Sequence, residues 1–177
     1  DMRGANEPMT VLNMNYAYTD RPEALVFDYE AYIEQSTDIS RANASKQVKH
    51  YQGRDGAEVT VLLQQRWEDK DGHVHALRVA TATMRIWHSS NGWIEGYRLP
   101  LRYGDITHQA DYKSYEGLNA KGFMTKNHKG KMVPIEEEGF DGDAQPTHLI
   151  LMFSAGCQPA FCGHVGNWFS VDNVCFR

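Results

Sequence analysis

The 177-residue chain lacks long apolar runs, excess basic charge and the common nucleotide-binding motifs. No apolar stretch approaches the ~18 residues that cross a bilayer, so we expect no transmembrane segment. The formal net charge is −5 and the pI is near 5.9, which leaves no basic surface for a nucleic-acid partner. The sequence also shows no Gly-rich phosphate loop and no Ser/His/Asp signature.

Cysteine is scarce as well, with three residues in the whole chain. This number is too small for a disulfide scaffold, and it is odd. Three reduced thiols are the simpler interpretation, and a Cys157–Cys162 disulfide across a short loop is the alternative if the chain is exported. Zinc binding by these two cysteines and His164 is disfavoured, because the spacing is not that of a standard zinc site.

Strand patterns are what the sequence has in abundance. Between residues 24 and 33 apolar and polar side chains alternate, which places Leu25 and Phe27 on one face and Asp28 and Glu30 on the other. Residues 58–67, 75–87, 93–102, 147–153 and 168–176 also read as strands. The segment 68–72 predicts a hairpin turn, and small residues in 75–87 predict a strand in the middle of a sheet.

These patterns predict one all-β domain over residues 1–177, an antiparallel β-sandwich of jelly-roll type. Residues 1–10 are expected to be a flexible N-terminus. Two polar stretches, 37–56 and 104–145, are expected to be long connections. Within the second, we expect a short helix around 107–118 and a solvated loop at the acidic run 136–138.

Four segments resemble the carbohydrate metabolism domain family (PCMD), which occurs in exported proteins of gut-type bacteria. The matching segments are DRPEALVFDYEAY at 20–32, ATATM at 80–84, PTHLILMFS at 146–154 and GHVGNWFSVDNV at 163–174. The loop at 154–158 departs from the family pattern.

The resemblance implies a jelly-roll sandwich similar to carbohydrate-binding modules and to some glycoside hydrolases. It implies an exported chain, in the periplasm or on the outer cell surface. A lipid anchor on a missing N-terminal segment and further domains in a longer protein are both compatible with this resemblance. The start at Asp1 agrees with the loss of an export signal. We therefore expect a glycan-binding domain. A glycoside hydrolase and an adhesion domain without a glycan ligand are the alternatives.

A glycoside hydrolase needs two carboxyl groups flanking the scissile bond, ~5–5.5 Å apart in retaining enzymes and further apart in inverting ones. Asp28 and Glu30 are candidates because they share the polar face of one predicted strand, and Glu95 and Asp105 are further ones. Solvated surface carboxylates are the alternative interpretation of all four.

Sugar binding needs flat aromatic rings and a few polar groups. The candidate ligand-binding residues are Trp87, Trp93, Tyr97, Tyr112 and Tyr115. In a regular strand, Tyr97 would share a side with Trp93. The alternative for each aromatic ring is a place in the core.

Asp172 is the candidate metal ligand, because similar carbohydrate-binding sandwiches often hold a structural calcium with an Asp of the last strand. Asn173 and an early carboxylate, Glu7 or Asp20, are candidate partners. If Asp172 binds no calcium, it caps a strand or pairs with an arginine.

Two histidines also invite a metal interpretation. His73 and His75 are two residues apart and would point the same way on a strand. The sequence offers no third ligand at a fixed spacing, so solvated histidines beside a turn are the favoured interpretation.

Overall fold

The computed structural model describes residues 7–42 and 47–177, which are almost entirely strands and turns. In chain order the described strands are β1 (Tyr16–Ala17), β2 (Ala24–Tyr32), β3 (Asp38–Ala42), β4 (Val48–Gln52), β5 (Ala57–Glu68), β6 (Val74–Ile86), β7 (Ile94–Pro100), β8 (Arg102–Tyr103), β9 (Met124–Lys126), β10 (Met132–Phe140), β11 (His148–Ser154), β12 (Cys162–Gly163) and β13 (Trp168–Phe176). Two short 3₁₀ helices span Pro8–Val11 and Ser114–Glu116. In these two described ranges, no helix is long and apolar enough to cross a membrane.

The strands form three sheets. The large sheet has the order β1-β11-β5-β6-β10-β9, with β8 also paired to β6; the small sheet has the order β13-β2-β7, and a side sheet has the order β12-β3-β4. All pairs are antiparallel except β6 with β10. The chain passes repeatedly between sheets, for example from β6 to β7 and back to β8, as in jelly-roll sandwiches. The predicted all-β sandwich is confirmed, with one parallel pair added.

The core lies between the large and small sheets. From β2 it receives Leu25 and Phe27, both fully buried, as the alternating pattern predicts. Facing them on β6 are Ala80 and Ala82, whose small side chains let the two sheets approach closely. The predicted central position of this strand is confirmed, because β6 lies between β5 and β10.

Both predicted long connections contain strands, so the sequence interpretation of 37–56 and 104–145 was wrong. The first holds the hairpin β3–β4, whose strand β4 is wholly exposed and therefore shows no apolar alternation. The second holds β9 and β10. The expected helix at 107–118 is reduced to the single turn Ser114–Glu116. Of the expected flexible N-terminus, residues 1–6 lie outside the described residues, and Pro8–Val11 is a 3₁₀ helix.

The acidic run 136–138 belongs to strand β10, which corrects the expectation of a solvated loop. Glu137 is buried, and its carboxylate accepts hydrogen bonds from Arg78 Nε and Nη2, both at 2.5 Å. Gln64 Nε2 and the backbone N–H of Asn119 also donate to it. Burial acts to raise the pKa of Glu137, but the Arg78 hydrogen bonds and charge, with the other donors, hold it below its usual value.

A second buried carboxylate lies further along the same sheet face. Glu58 on β5 accepts a hydrogen bond from Arg85 Nε at 2.6 Å and pairs with Lys121. The Arg85 guanidinium also lies 3.6 Å from the ring centroid of Tyr115. Segment 104–123 thus covers this face through charged and aromatic contacts, which explains its polar sequence.

Candidate functional site

The outer face of the small sheet is set by alternation on its two longest strands. On β2, Phe27 is buried while Tyr32 points to solvent. On β13, Phe169 packs against the core while Trp168 is exposed. Residues that are directly paired across two strands share a sheet face, so the outward side chains of β2 and β13 form one continuous surface.

An aromatic pair lies at one end of this surface. Tyr32 and Trp168 are direct cross-strand partners. Their exposed fractions are 45% and 42%, large values for aromatic side chains. The Cβ atoms of such partners are ~4.5–5.5 Å apart, so the two rings can form a common apolar surface. We call this pair the Tyr32–Trp168 platform.

A polar row follows the platform along the same strands. Glu30 pairs with Ser170, two residues from the platform on each strand, which corresponds to ~7 Å. Among the described residues, neither the Glu30 carboxylate nor the Ser170 hydroxyl has a hydrogen-bond partner, so both are available to a ligand. The next pair along the strands is Asp28 with Asp172.

Asp28, in contrast, is fully engaged with the protein. Its Oδ1 accepts the backbone N–H of Gly96 and its Oδ2 accepts Asn173 Nδ2, both at 2.6 Å. Gly96 and Asn173 have φ values of +61° and +50° and lie at bulges in β7 and β13. The side-chain donor and then the backbone donor lower the pKa of Asp28. Asp28 therefore holds two irregular strands against the central one.

The bulge in β7 separates two of the predicted ligand-binding aromatics. Tyr97 is three positions after Ile94, whereas their partners on β2, Phe27 and Tyr29, are two positions apart, so side-chain alternation is broken. Tyr97 turns into the core, with its ring centroid 5.6 Å from that of Phe27. Trp93 stays exposed ahead of the strand. Tyr97 was expected to share a side with Trp93 if this strand was regular, and the bulge shows that this condition is not met.

The other three predicted aromatics are dispersed. Trp87 follows β6 and accepts hydrogen bonds at its carbonyl from Gln35 and Arg54. Tyr112 packs beside Gly117 in the segment that covers the large sheet. Tyr115 lines a cleft of about 440 Å³ on that side of the molecule.

The predicted catalytic carboxylates do not converge in a cleft. Asp28 and Glu30 lie on β2 and the exposed Glu95 on β7, all in the small sheet. Asp105 lies elsewhere, where its Oδ1 accepts the N–H and hydroxyl of Thr107. Two other carboxylate residues, Glu7 and Glu58, line the 440 Å³ cleft, and Glu58 is held by Arg85 and Lys121.

The predicted calcium ligand Asp172 lies on the exposed outer face, where its Oδ1 accepts the N–H of Asn173 at 2.7 Å. Within residues 7–42 and 47–177, the group of three side chains close enough to share a metal is Asp69, His73 and His75, and Asp172 is not in it. Calcium at Asp172 stays a prediction.

The three cysteines are free thiols, so residues 157 and 162 are not joined. Burial, together with the nearby charges of Asp55 and Glu58, raises the pKa of the Cys157 thiol, and this outweighs the opposing backbone hydrogen bond with Gly56 and the charge of Arg85. The protonated form, which is the less reactive one, is therefore favoured at Cys157.

Comparison with known proteins leaves the site to be interpreted from its own chemistry. No protein-family model, no curated protein and no solved structure matches this chain. The resemblance to the carbohydrate metabolism domain family therefore stays a prediction. The Tyr32–Trp168 platform was not among the predicted binding residues, although the alternation of β2 already placed Tyr32 on the outer face. Trp168 would have needed the long-range pairing of β13 with β2.

Proposed function

We propose that this protein is a glycan-binding domain whose binding surface is the outer face of the small sheet. The observation that carries the proposal is the Tyr32–Trp168 platform with free hydrogen-bonding groups directly beside it. Two large aromatic rings side by side in solvent have no role in the core of this sandwich, which lies on the other face of the sheet.

The chemistry of this face fits a sugar. Pyranose rings have apolar faces that pack on aromatic rings, and their hydroxyl groups need donors and acceptors at the rim. The platform supplies the first requirement. Glu30 and Ser170, about 7 Å further along the strands, supply the second, with the carboxylate as acceptor and the hydroxyl as donor or acceptor.

The charge of the face selects among sugars. Glu30, Asp28 and Asp172 place carboxylates along the row, and Arg98, the basic residue on the neighbouring β7, is paired with Glu23 at 2.9 Å. A uronic acid or sulfated sugar would be repelled by these carboxylates. The ligand class is therefore a neutral polysaccharide, and such a domain would act in polysaccharide use by an exported protein at the cell surface.

The direct test measures binding of this protein to a panel of neutral and anionic polysaccharides by affinity electrophoresis and calorimetry. We expect binding to a neutral polymer, and Trp168→Ala to weaken it about 30-fold, or about 2 kcal/mol for an aromatic anchor. The matched control is Trp67→Ala, since Trp67 is also 42% exposed but lies on the large sheet. The proposal fails if no polysaccharide binds, or if the two variants lose affinity equally. Sedimentation checks whether the platform instead joins two copies of the chain.

A further inference from the structure

The hairpin between β5 and β6 brings one aspartate and two histidines together. Asp69 Oδ1 accepts the backbone N–H groups of Asp71, Gly72 and His73 at 2.8–2.9 Å. Gly72 has a φ of +93°, which closes the turn tightly. These bonds fix the Asp69 carboxylate and leave its Oδ2 directed at the imidazoles of His73 and His75.

The spacing of the three ligand atoms suits a small metal ion. Asp69 Oδ2 lies 3.0 Å from His73 Nδ1 and 3.6 Å from His75 Nε2, and all three atoms lie within 4.8 Å of one another. When a metal ion has tetrahedral coordination and each ligand atom is ~2.0–2.2 Å from it, neighbouring ligand atoms are roughly 3–3.7 Å apart. The His73 and His75 rings therefore need only a small change in position for the three ligand atoms to bind one ion.

His75 is held in the orientation that a metal ligand requires. Its Nδ1 lies 2.6 Å from Glu138 Oε1, which leaves Nε2 facing Asp69. The Trp67 ring stacks on its imidazole with a centroid distance of 5.6 Å and an interplanar angle of 15°. A carboxylate bonded to the far nitrogen of a ligating histidine is the usual outer support of such sites.

We propose that Asp69, His73 and His75 bind a divalent transition-metal ion, with Zn²⁺ as the best fit, and that Glu138 supports His75. Two imidazoles and a carboxylate favour Zn²⁺ over Ca²⁺ or Mg²⁺, which prefer all-oxygen ligands. Three protein ligands on an exposed hairpin leave further coordination positions open to water or to a ligand oxygen. This site is separate from the glycan-binding face and does not depend on it.

The test uses the full chain without a histidine tag, stripped with a chelator and titrated with Zn²⁺ by calorimetry and with Co²⁺ by visible absorption. We expect one tight site, a loss of at least 10-fold in affinity for His73→Ala and for His75→Ala, and a roughly 10-fold loss for Glu138→Gln. Circular dichroism confirms that each variant is folded.

His50→Ala is the matched control for His73→Ala. The His50 side chain is 62% exposed, and its Nδ1 lies 3.0 Å from Asp38 Oδ2. The His73 side chain is similarly 60% exposed, and its Nδ1 lies 3.0 Å from Asp69 Oδ2. The difference is that no second imidazole joins the pair of His50 and Asp38. We expect His50→Ala to bind Zn²⁺ as the wild type does. The proposal is overturned if His73→Ala binds Zn²⁺ as tightly as His50→Ala does. It is also overturned if the Co²⁺ titration shows several weak sites and no single tight one.

Discussion

Removing the buried carboxylate of Glu137 should be among the most damaging single changes in this fold. In Glu137→Ala, the Arg78 guanidinium, whose side chain is 2% exposed, loses the carboxylate that accepts two of its hydrogen bonds. The donors of Gln64 and Asn119 lose their acceptor as well. The Arg78 and Glu137 side chains are only 2% and 4% exposed, so bulk water has little access to replace the lost contacts.

The expected cost follows from the buried ion pair. Deleting one partner of such a pair costs ~3–5 kcal/mol, because the remaining charge stays buried without compensation. We expect about 4 kcal/mol for Glu137→Ala. At ~2–4 °C per kcal/mol for a domain of this size, the melting temperature should fall by about 8–16 °C.

Urea unfolding followed by tryptophan fluorescence measures this cost. Glu136→Ala is the control, since Glu136 is the exposed neighbour on the same strand and should change the free energy of unfolding by less than about 0.5 kcal/mol. The double variant Arg78→Met with Glu137→Leu should recover most of the loss, because no unpaired charge remains. A loss below about 1 kcal/mol for Glu137→Ala would refute the reasoning.

Two further predictions concern pH. Burial and then the charge of Arg66 lower the pKa of His148 to about 4, so the neutral form stabilises the fold and this contribution is lost as pH falls from 6.5 toward 4. The full shift in the pKa of His148 corresponds to ~3 kcal/mol of folding free energy, which the partial exposure of His148 reduces to about 1–2 kcal/mol. Urea unfolding at pH 7 and pH 4.5 should show this loss of stability in the wild type and not in His148→Gln. The lowered pKa of Asp28 acts in the same pH direction, with stabilisation present above 3.8 and lost as pH falls through the folded value. Asp28→Asn should therefore be less stable than the wild type at pH 7, by a margin that shrinks below pH 3.8; an unchanged margin would contradict the role of Asp28 at the two bulges.

The sequence predicted those parts of the fold in which apolar residues alternate. Strand β2 shows this clearly, with Phe27 buried and Glu30 only partly buried. Strand β10 was missed because Glu137, a charged residue, occupies the buried position that an apolar residue usually fills. Its partner Arg78 is 59 residues away in sequence, so local patterns contain no sign of the pair.

The candidate sites show the same limit. His73 and His75 were recognisable as a pair, but Asp69 looked like an ordinary turn residue until the hairpin closed around it. Trp168 became a candidate only through its register with Tyr32, a long-range pairing. Tyr97 was misplaced because a bulge cannot be read from one strand alone.

The most direct test of glycan binding measures how the indole N–H signals of the four tryptophans respond to a bound oligosaccharide. In a ¹H–¹⁵N spectrum, the signal absent from Trp168→Phe identifies Trp168, and the signal absent from Trp67→Phe identifies Trp67. We predict that titration with a neutral oligosaccharide from the polymer that binds shifts the Trp168 signal most and leaves Trp67 in place. A shift at Trp67, Trp87 or Trp93 with Trp168 unchanged would contradict the proposed binding face.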